Sequence, residues 1–461
     1  MVFDGGPGPF RMTGSPRTLQ RNPAKRREIL LTLLIAISLL FGAGGTPAPL
    51  GEAVAIVAAA LILAYAFSTG LLDAVPRIHW AFAAALPLLA LIQLVPLPPS
   101  LWQMLPLRQV LSGATAANGH AGEWRPLSMD PLSTAWSLAS FAPPLAAFVL
   151  SLSLTREARQ RMVMVVVVAC GASAVLAGMQ LLLGDAIFLH PRSIDAGESG
   201  FFANQNTQAT FLACGAFGLG VLLTEFGNAR QSRSLIALGM AALIVTGLLL
   251  SGSRSGFLLL ALAAAILALL ALKRFKGNSR RLFWFAASGL LLLALGGWIV
   301  ADQSGISALD DLLNRFQSGS DGRFSAIWPD ASWLAQALWP AGSGLGTFVH
   351  VFGLAERLEV VDATFANRAH NDWLEFAIET GVAGIVALLL MIAFLGRALW
   401  QARAMRWDAA MQWALFTIVA IAAHSLVDYP LRAIAMSVIG ALAVGLLLSS
   451  PNVDTQTDVD P

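Results

Sequence analysis

His370, Asn371, Asp372, Glu375 and Glu379 stand together in one short stretch, AHNDWLEFAIETG, and an apolar run, GVAGIVALLLMIAFLG, follows at once. Histidine is the side chain best suited to proton transfer near neutral pH. Carboxylates can orient it or bind hydroxyls. Beside hydrocarbon such groups are costly, so they must face protein or a water-filled cavity. On a helix advancing about 100° per residue from His370 at 0°, Asn371 falls near ~100°, Glu375 near ~140°, Glu379 near ~180° and Asp372 near ~200°. The acids form one polar stripe, and His370 stands beside it at the helix start. A lone histidine is usually a hydrogen-bonded structural residue. This company favours a proton acceptor.

Two further stretches carry chemistry. Ser251 to Gly256 reads SGSRSG between two apolar runs. An arginine in so tight a turn either snorkels to the interface or sits among hydroxyls and open N–H groups as an anion cradle. Residues 302–370 form a long polar segment with Arg315, Arg323, Trp328, Trp333, Trp339 and the glycine-rich Gly342 to Gly346. Its arginines suit phosphate. Its tryptophans read as an interface belt or as platforms for sugar faces.

The elements that position these residues follow from composition. Hydrophobic residues are 57% of the chain, charged ones 12%, and mean hydropathy is +0.70. A soluble domain is about 25% charged. Apolar runs recur at the roughly 20 residues a membrane span needs, so the chain reads as an all-α polytopic membrane protein. Twelve spans are expected, at about 29–45, 51–69, 78–97, 134–154, 162–183, 205–226, 235–252, 256–272, 282–301, 371–396, 409–428 and 432–449. The first also has the basic flank and length of a signal-peptide core. With the N-terminus cytoplasmic, 20 of the 29 lysines and arginines fall on the cytoplasmic side, and the rest are all arginine. Both termini are then cytoplasmic. The long segments 98–133, 184–204 and 302–370 lie outside, the last as a large periplasmic loop between spans 9 and 10. Residues 1–28 read as a disordered basic tail, 29–449 as one membrane domain and 450–461 as a second tail. Cys170 and Cys214 lie in apolar runs and read as small buried hydrophobes. No CxxC, HExxH, Walker or Rossmann pattern is present in a suitable context.

In arrangement and residues the chain resembles the O-antigen ligase and polymerase family. SGSRSG sits in a short outer turn. A large outer loop carries Arg323-x-x-x-x-Trp328, then P-x-G-x-G-x-G-x-F from Pro340 to Phe348. H-N-x-x-L-x-x-x-x-E-x-G follows, here His370, Asn371, Leu374, Glu379 and Gly381. GFFANQN from Gly200 to Asn206 and HSLVDYPLR from His424 to Arg432 complete the set. The likeness covers about residues 185–445. The H-N piece is its most specific part, SGSRSG alone is weak, and the first 180 or so residues match only as apolar spans.

The resemblance implies a GT-C-like, metal-independent inverting glycosyltransferase of the bacterial inner membrane, with no cofactor and no nucleic-acid partner. Its donor is a glycan on undecaprenyl diphosphate at the periplasmic face. Its acceptor is lipid A–core for a ligase, or another lipid-linked repeat for a polymerase, with a slight lean here to the polymerase. His370 carries over as general base, and Arg254 and Arg323 as ligands of the diphosphate. Arg192 and Arg315 add positive potential. Asp372, Glu375 and Glu379 support His370 or bind sugar hydroxyls, and Asp428 reads as structural. A lipid-linked glycan transporter is the rival reading. It predicts ionisable groups at mid-span and paired halves, whereas the charges here cluster at the outer ends. An inactive scaffold leaves the outer arginines unexplained.

Overall fold

The computed structural model describes residues 23–44, 49–190, 197–226, 231–274, 323–361, 366–403 and 407–449. These residues are helical apart from loops, turns and one antiparallel pair, β1 (Pro96–Leu97) on β2 (Arg125–Pro126), in register Pro96 to Pro126. Lipid offers no partner for a bare N–H or C=O, so an apolar chain of this kind closes its backbone bonds within helices. The bundle holds α1 (Pro23–Phe41), α2 (Pro49–Ser68), α3 (Arg77–Gln93), α6 (Pro131–Ser140), α7 (Ala142–Ser151), α8 (Arg156–Leu183), α9 (Gln205–Phe226), α10 (Gln231–Leu250) and α11 (Arg254–Arg274). The short α4 (Pro99–Trp102) and α5 (Arg108–Ala117) lie between α3 and α6. After the undescribed stretch come α12 (Trp328–Ala337), α13 (Phe348–Phe352), α14 (Asp372–Ala402), α15 (Ala409–His424) and α16 (Ile434–Leu448).

Among the described residues six helical segments are long and apolar enough to cross a membrane, and four shorter apolar helices accompany them. The span expected at 282–301 lies outside the described residues, as do residues 1–22 and 450–461 of the two tails. Helix α1 starts at Pro23, inside the segment read as tail. Proline suits a first helical turn because its missing N–H would have no partner there.

One apolar core joins α1, α2, α7, α8, α9, α10, α11, α15 and α16. Trp413 is fully buried in it and donates to the Cys214 carbonyl at 3.1 Å. Cys170 and Cys214 are both free and buried, as expected. A second, smaller core gathers Leu334, Leu338, Phe348, Val351, Phe352 and Ile378, and so ties the long loop to the start of α14.

Two helix breaks matter for the site. Helix α14 has φ 56° and ψ −147° at Gly381, a kink inside 31 residues. The part after the kink, at about 1.5 Å per residue, spans roughly 30 Å by itself. The turns that carry Asp372, Glu375 and Glu379 precede it. The second break lies between α15 and α16. Helix was expected through 428 and again from 432, but α15 stops at His424 and α16 starts at Ile434. Pro430 has no N–H to continue a helix, and the Asp428 carboxylate takes the Tyr429 amide at 2.9 Å.

Candidate active site

His370 lies just outside its helix. Asn371 is the N-cap of α14, its side-chain oxygen accepting from the Leu374 amide at 3.0 Å. His370 therefore takes φ 50°, a left-handed conformation strained for a residue with a side chain. The neighbouring residue, Ala369, is pinned on both sides. Its amide donates to Glu375 Oε2 at 2.9 Å, and its carbonyl accepts from Trp328 Nε1 at 3.1 Å. The Arg323-to-Trp328 motif thus reaches the histidine through its tryptophan.

The imidazole meets Asp428. His370 Nδ1 lies 3.3 Å from Asp428 Oδ1, and the Tyr429 ring meets the imidazole edge-on, centroids 4.9 Å apart. Asp428 is fully buried, while the His370 side chain is 20% exposed. The carboxylate also accepts from Asn204 Nδ2 at 3.1 Å and Asn206 Nδ2 at 2.5 Å. The Asn204 and Asn206 amides and the Tyr429 backbone N–H all donate to these two oxygens, as an ionised carboxylate requires. With Nδ1–H directed at Asp428, the lone pair of His370 sits on Nε2. Asp428, read from the sequence as structural, is the partner of the candidate base. Its sequence signal was an acid in the junction between two apolar runs.

Five of the six motifs converge here. GFFANQN supplies Asn204 and Asn206. Its start is held to α8, where Gln180 Oε1 accepts from the Gly200 amide at 2.9 Å and Nε2 donates to the Gly200 carbonyl at 2.9 Å. The Glu198 amide joins the same loop to the Leu250 carbonyl at the mouth of SGSRSG. In that turn Ser253 Oγ lies 3.0 Å from Ser255 Oγ, which lies 3.1 Å from His424 Nε2. Arg254 opens α11 between those serines and is partly exposed.

The acids form a separate cluster. Arg432 Nη2 lies 3.0 Å from Glu379 Oε2 and 3.2 Å from Glu375 Oε1, with Nε 3.5 Å from Asp372 Oδ1. Arg368 Nη1 lies 3.1 Å from Glu375 Oε1. Asp372 Oδ2 accepts from Ser425 Oγ at 2.9 Å and from the Leu431 amide at 3.1 Å. The stripe expected on this helix does face protein. Arg432, Ser425 and the Leu431 amide hold the 424–432 segment against α14, and Glu375 reaches the backbone beside His370.

The glycine-rich loop closes over the kink. The Ser343 and Gly344 amides donate to the carbonyls of Ile378 and Glu379 at 3.0 and 2.9 Å, and the Val382 amide donates to the Pro340 carbonyl at 2.9 Å. A Cβ on Gly381 would enter the Pro340 carbonyl. Gln93 bridges the same contact, its Nε2 donating to Glu379 O and its Oε1 accepting from the Leu345 amide, each at 2.9 Å. Arg108, buried, donates to the Gly342 carbonyl at 3.1 Å and the Leu127 carbonyl at 2.5 Å. Burial pulls its guanidinium down to about 10, which leaves it charged at neutral pH.

Of the other expected site residues, Arg192 and Arg315 lie outside the described residues, and only the backbone of Arg323 is described, opening a π-turn before α12. Among the described residues no three His, Cys, Asp or Glu side chains group as a metal site requires. No curated protein matches the chain. Residues 239–389 match the family model described as O-antigen ligase. That span holds SGSRSG, Arg323 to Trp328, the glycine-rich loop and the H-N motif, while GFFANQN and HSLVDYPLR stand outside it. Over those residues the chain is similar to the family that its motifs resemble.

Proposed function

We propose that the chain is a multi-pass inner-membrane glycosyltransferase that takes a glycan from undecaprenyl diphosphate at the periplasmic face. The acceptor hydroxyl attacks the anomeric carbon. Its proton passes to His370 Nε2. The bond from that carbon to the diphosphate oxygen breaks, and the electron pair leaves with the diphosphate. A single displacement of this kind inverts the anomeric centre. Asp428 holds the ring and stabilises the imidazolium, a general-base role worth about 10²–10⁴ in rate. Arg254 and Arg323 neutralise the charge that grows on the leaving group. Arg192 and Arg315 add to the positive potential around it. The acceptor is lipid A–core or a second lipid-linked repeat.

The observation that carries this reading is the His370–Asp428 pair, assembled at 3.3 Å from segments fifty-eight positions apart and joined to SGSRSG through His424 and Ser255. The test is a gel of envelope glycans from cells that lack the protein, complemented with wild type or His370→Ala. Loss of long polymer with single lipid-linked repeats accumulating makes the enzyme a polymerase. Full-length polymer left on its lipid carrier makes it a ligase. A glycan pattern unchanged by deletion overturns the proposal and brings transport forward.

A further inference from the structure

His424 closes α15, a helix whose only other polar side chains are Gln412 and Thr417. It is buried. Nδ1 lies 2.6 Å from Thr210 Oγ1, and the Thr210 hydroxyl donates to the Asn206 carbonyl at 3.1 Å. A hydroxyl has one proton to give. His424 therefore carries its hydrogen on Nδ1 and donates it to Thr210. Nε2 is left with a lone pair that faces Ser255 Oγ at 3.1 Å and Asp428 Oδ2 at 3.8 Å. One carboxylate thus stands between two imidazoles, with His370 on Oδ1 and His424 on the side of Oδ2.

We infer that His424 is a positioning residue that couples the Ser253–Ser255 turn to His370 through Asp428. While the Ser255 hydroxyl donates into Nε2, His424 has no proton to offer Asp428, and of the two imidazoles only His370 donates to the carboxylate. An anion at the turn that takes the Ser255 hydrogen bond leaves the Nε2 lone pair open to a proton from water, and the imidazolium so formed donates to Asp428 in competition with His370. Donor occupancy and the readiness of the base are then set together. The nature of the reaction rests on the glycosyl-transfer reading, but the coupling belongs to the ligand-free chain.

Among the described residues, the neighbouring elements bring these groups toward His424. Helix α9 faces it with Thr210 and Asn206, and its one carboxylate, Glu225, lies at the far end of that helix. Helix α11 brings Ser255, with Arg254 adjacent in sequence. Helix α16 carries no ionisable side chain. The charged residues of α8, from Arg156 to Arg161, stand at its distant start, and Cys170 is a buried thiol. Arg432, after α15, is engaged with Glu375 and Glu379. Asp428 and His370 are the titratable partners the inference needs.

The test uses the full chain in phospholipid nanodiscs. Diethyl pyrocarbonate acylates the neutral imidazole, and peptide mass spectrometry follows His370 alone across pH. In His424→Gln the amide donates to Asp428, and in Ser255→Ala the freed Nε2 binds a proton from water and donates to it as the imidazolium. Each draws carboxylate charge away from His370, and the pH midpoint of its modification falls by on the order of half a unit. Ser255→Ala lies at a partly exposed turn and keeps the test valid if His424→Gln does not fold. A midpoint identical to wild type in the folded variants overturns the inference. Transfer activity is measured on the same samples. Midpoints that move while wild type transfers no glycan from polyprenyl diphosphate leave the coupling standing and remove the proposed function. Transfer with unmoved midpoints does the reverse.

Discussion

The indole of Trp328 donates to the carbonyl of Ala369 at 3.1 Å, one residue before a histidine held at φ 50°. A strained backbone persists only where its surroundings over-determine it. Trp328 supplies one side of that restraint and Glu375 the other. Trp328→Phe keeps most of the packing and removes the donor. Transfer should fall about 10- to 100-fold, since a misplacement of an ångström at a reacting group has effects of that size. The amount of membrane-inserted protein should not change. Rates normalised to inserted protein check this.

Asp428→Asn probes the histidine's partner. The amide preserves shape but cannot accept from His370, Asn204, Asn206 and Tyr429 as a carboxylate does. The imidazole loses its fixed tautomer and the charge that stabilises its protonated form. A loss of about 10²–10⁴ in turnover is expected, with donor binding retained. Comparison of turnover with the affinity for a polyprenyl diphosphate separates the two.

Arg432→Met should act on stability. The guanidinium stands among Asp372, Glu375 and Glu379, all buried. Removal of one partner of such a cluster leaves uncompensated charge and costs about 3–5 kcal/mol. Thermal unfolding in detergent should show the loss, and expression should drop with it.

Gly381→Ala should uncouple the glycine-rich loop from α14. Its φ of 56° disfavours a side chain, and the added carbon meets the Pro340 carbonyl. The conformational part alone costs about 1–3 kcal/mol. Limited proteolysis should open first within 340–348, the segment that docks on the kink.

The sequence made the helical membrane class legible through apolar runs of span length, although its twelve spans were not all recovered. One span falls outside the described residues, and α1, α3, α10, α15 and α16 are not among the helices long and apolar enough to cross by themselves. His370, Arg254 and the H-N motif were legible from residue type and place. The acid stripe was legible as a face that must meet protein, because a helical period orders the residues along one element. What meets that face was not legible, since Arg432 arrives from another segment and a period says nothing of its neighbours. His370 was placed at the start of the helix, which instead begins at Asp372. Asn371 competes for the first amides as a cap, and that choice sets His370 outside the helix. Asp428 was passed over for a related reason. It was read as the last residue of a span through 428, whereas α15 ends at His424 and the break before Pro430 turns its carboxylate toward His370.

The most direct test of the central claim is turnover in a defined system. The full chain, reconstituted in liposomes with an undecaprenyl-diphosphate-linked glycan and an acceptor, is assayed for released undecaprenyl diphosphate and extended product. Wild type should give both in equal amounts. His370→Ala, inserted to the same level and still binding donor, should be slower by at least about 10²-fold. His370→Ala turning over at the wild-type rate would contradict the account.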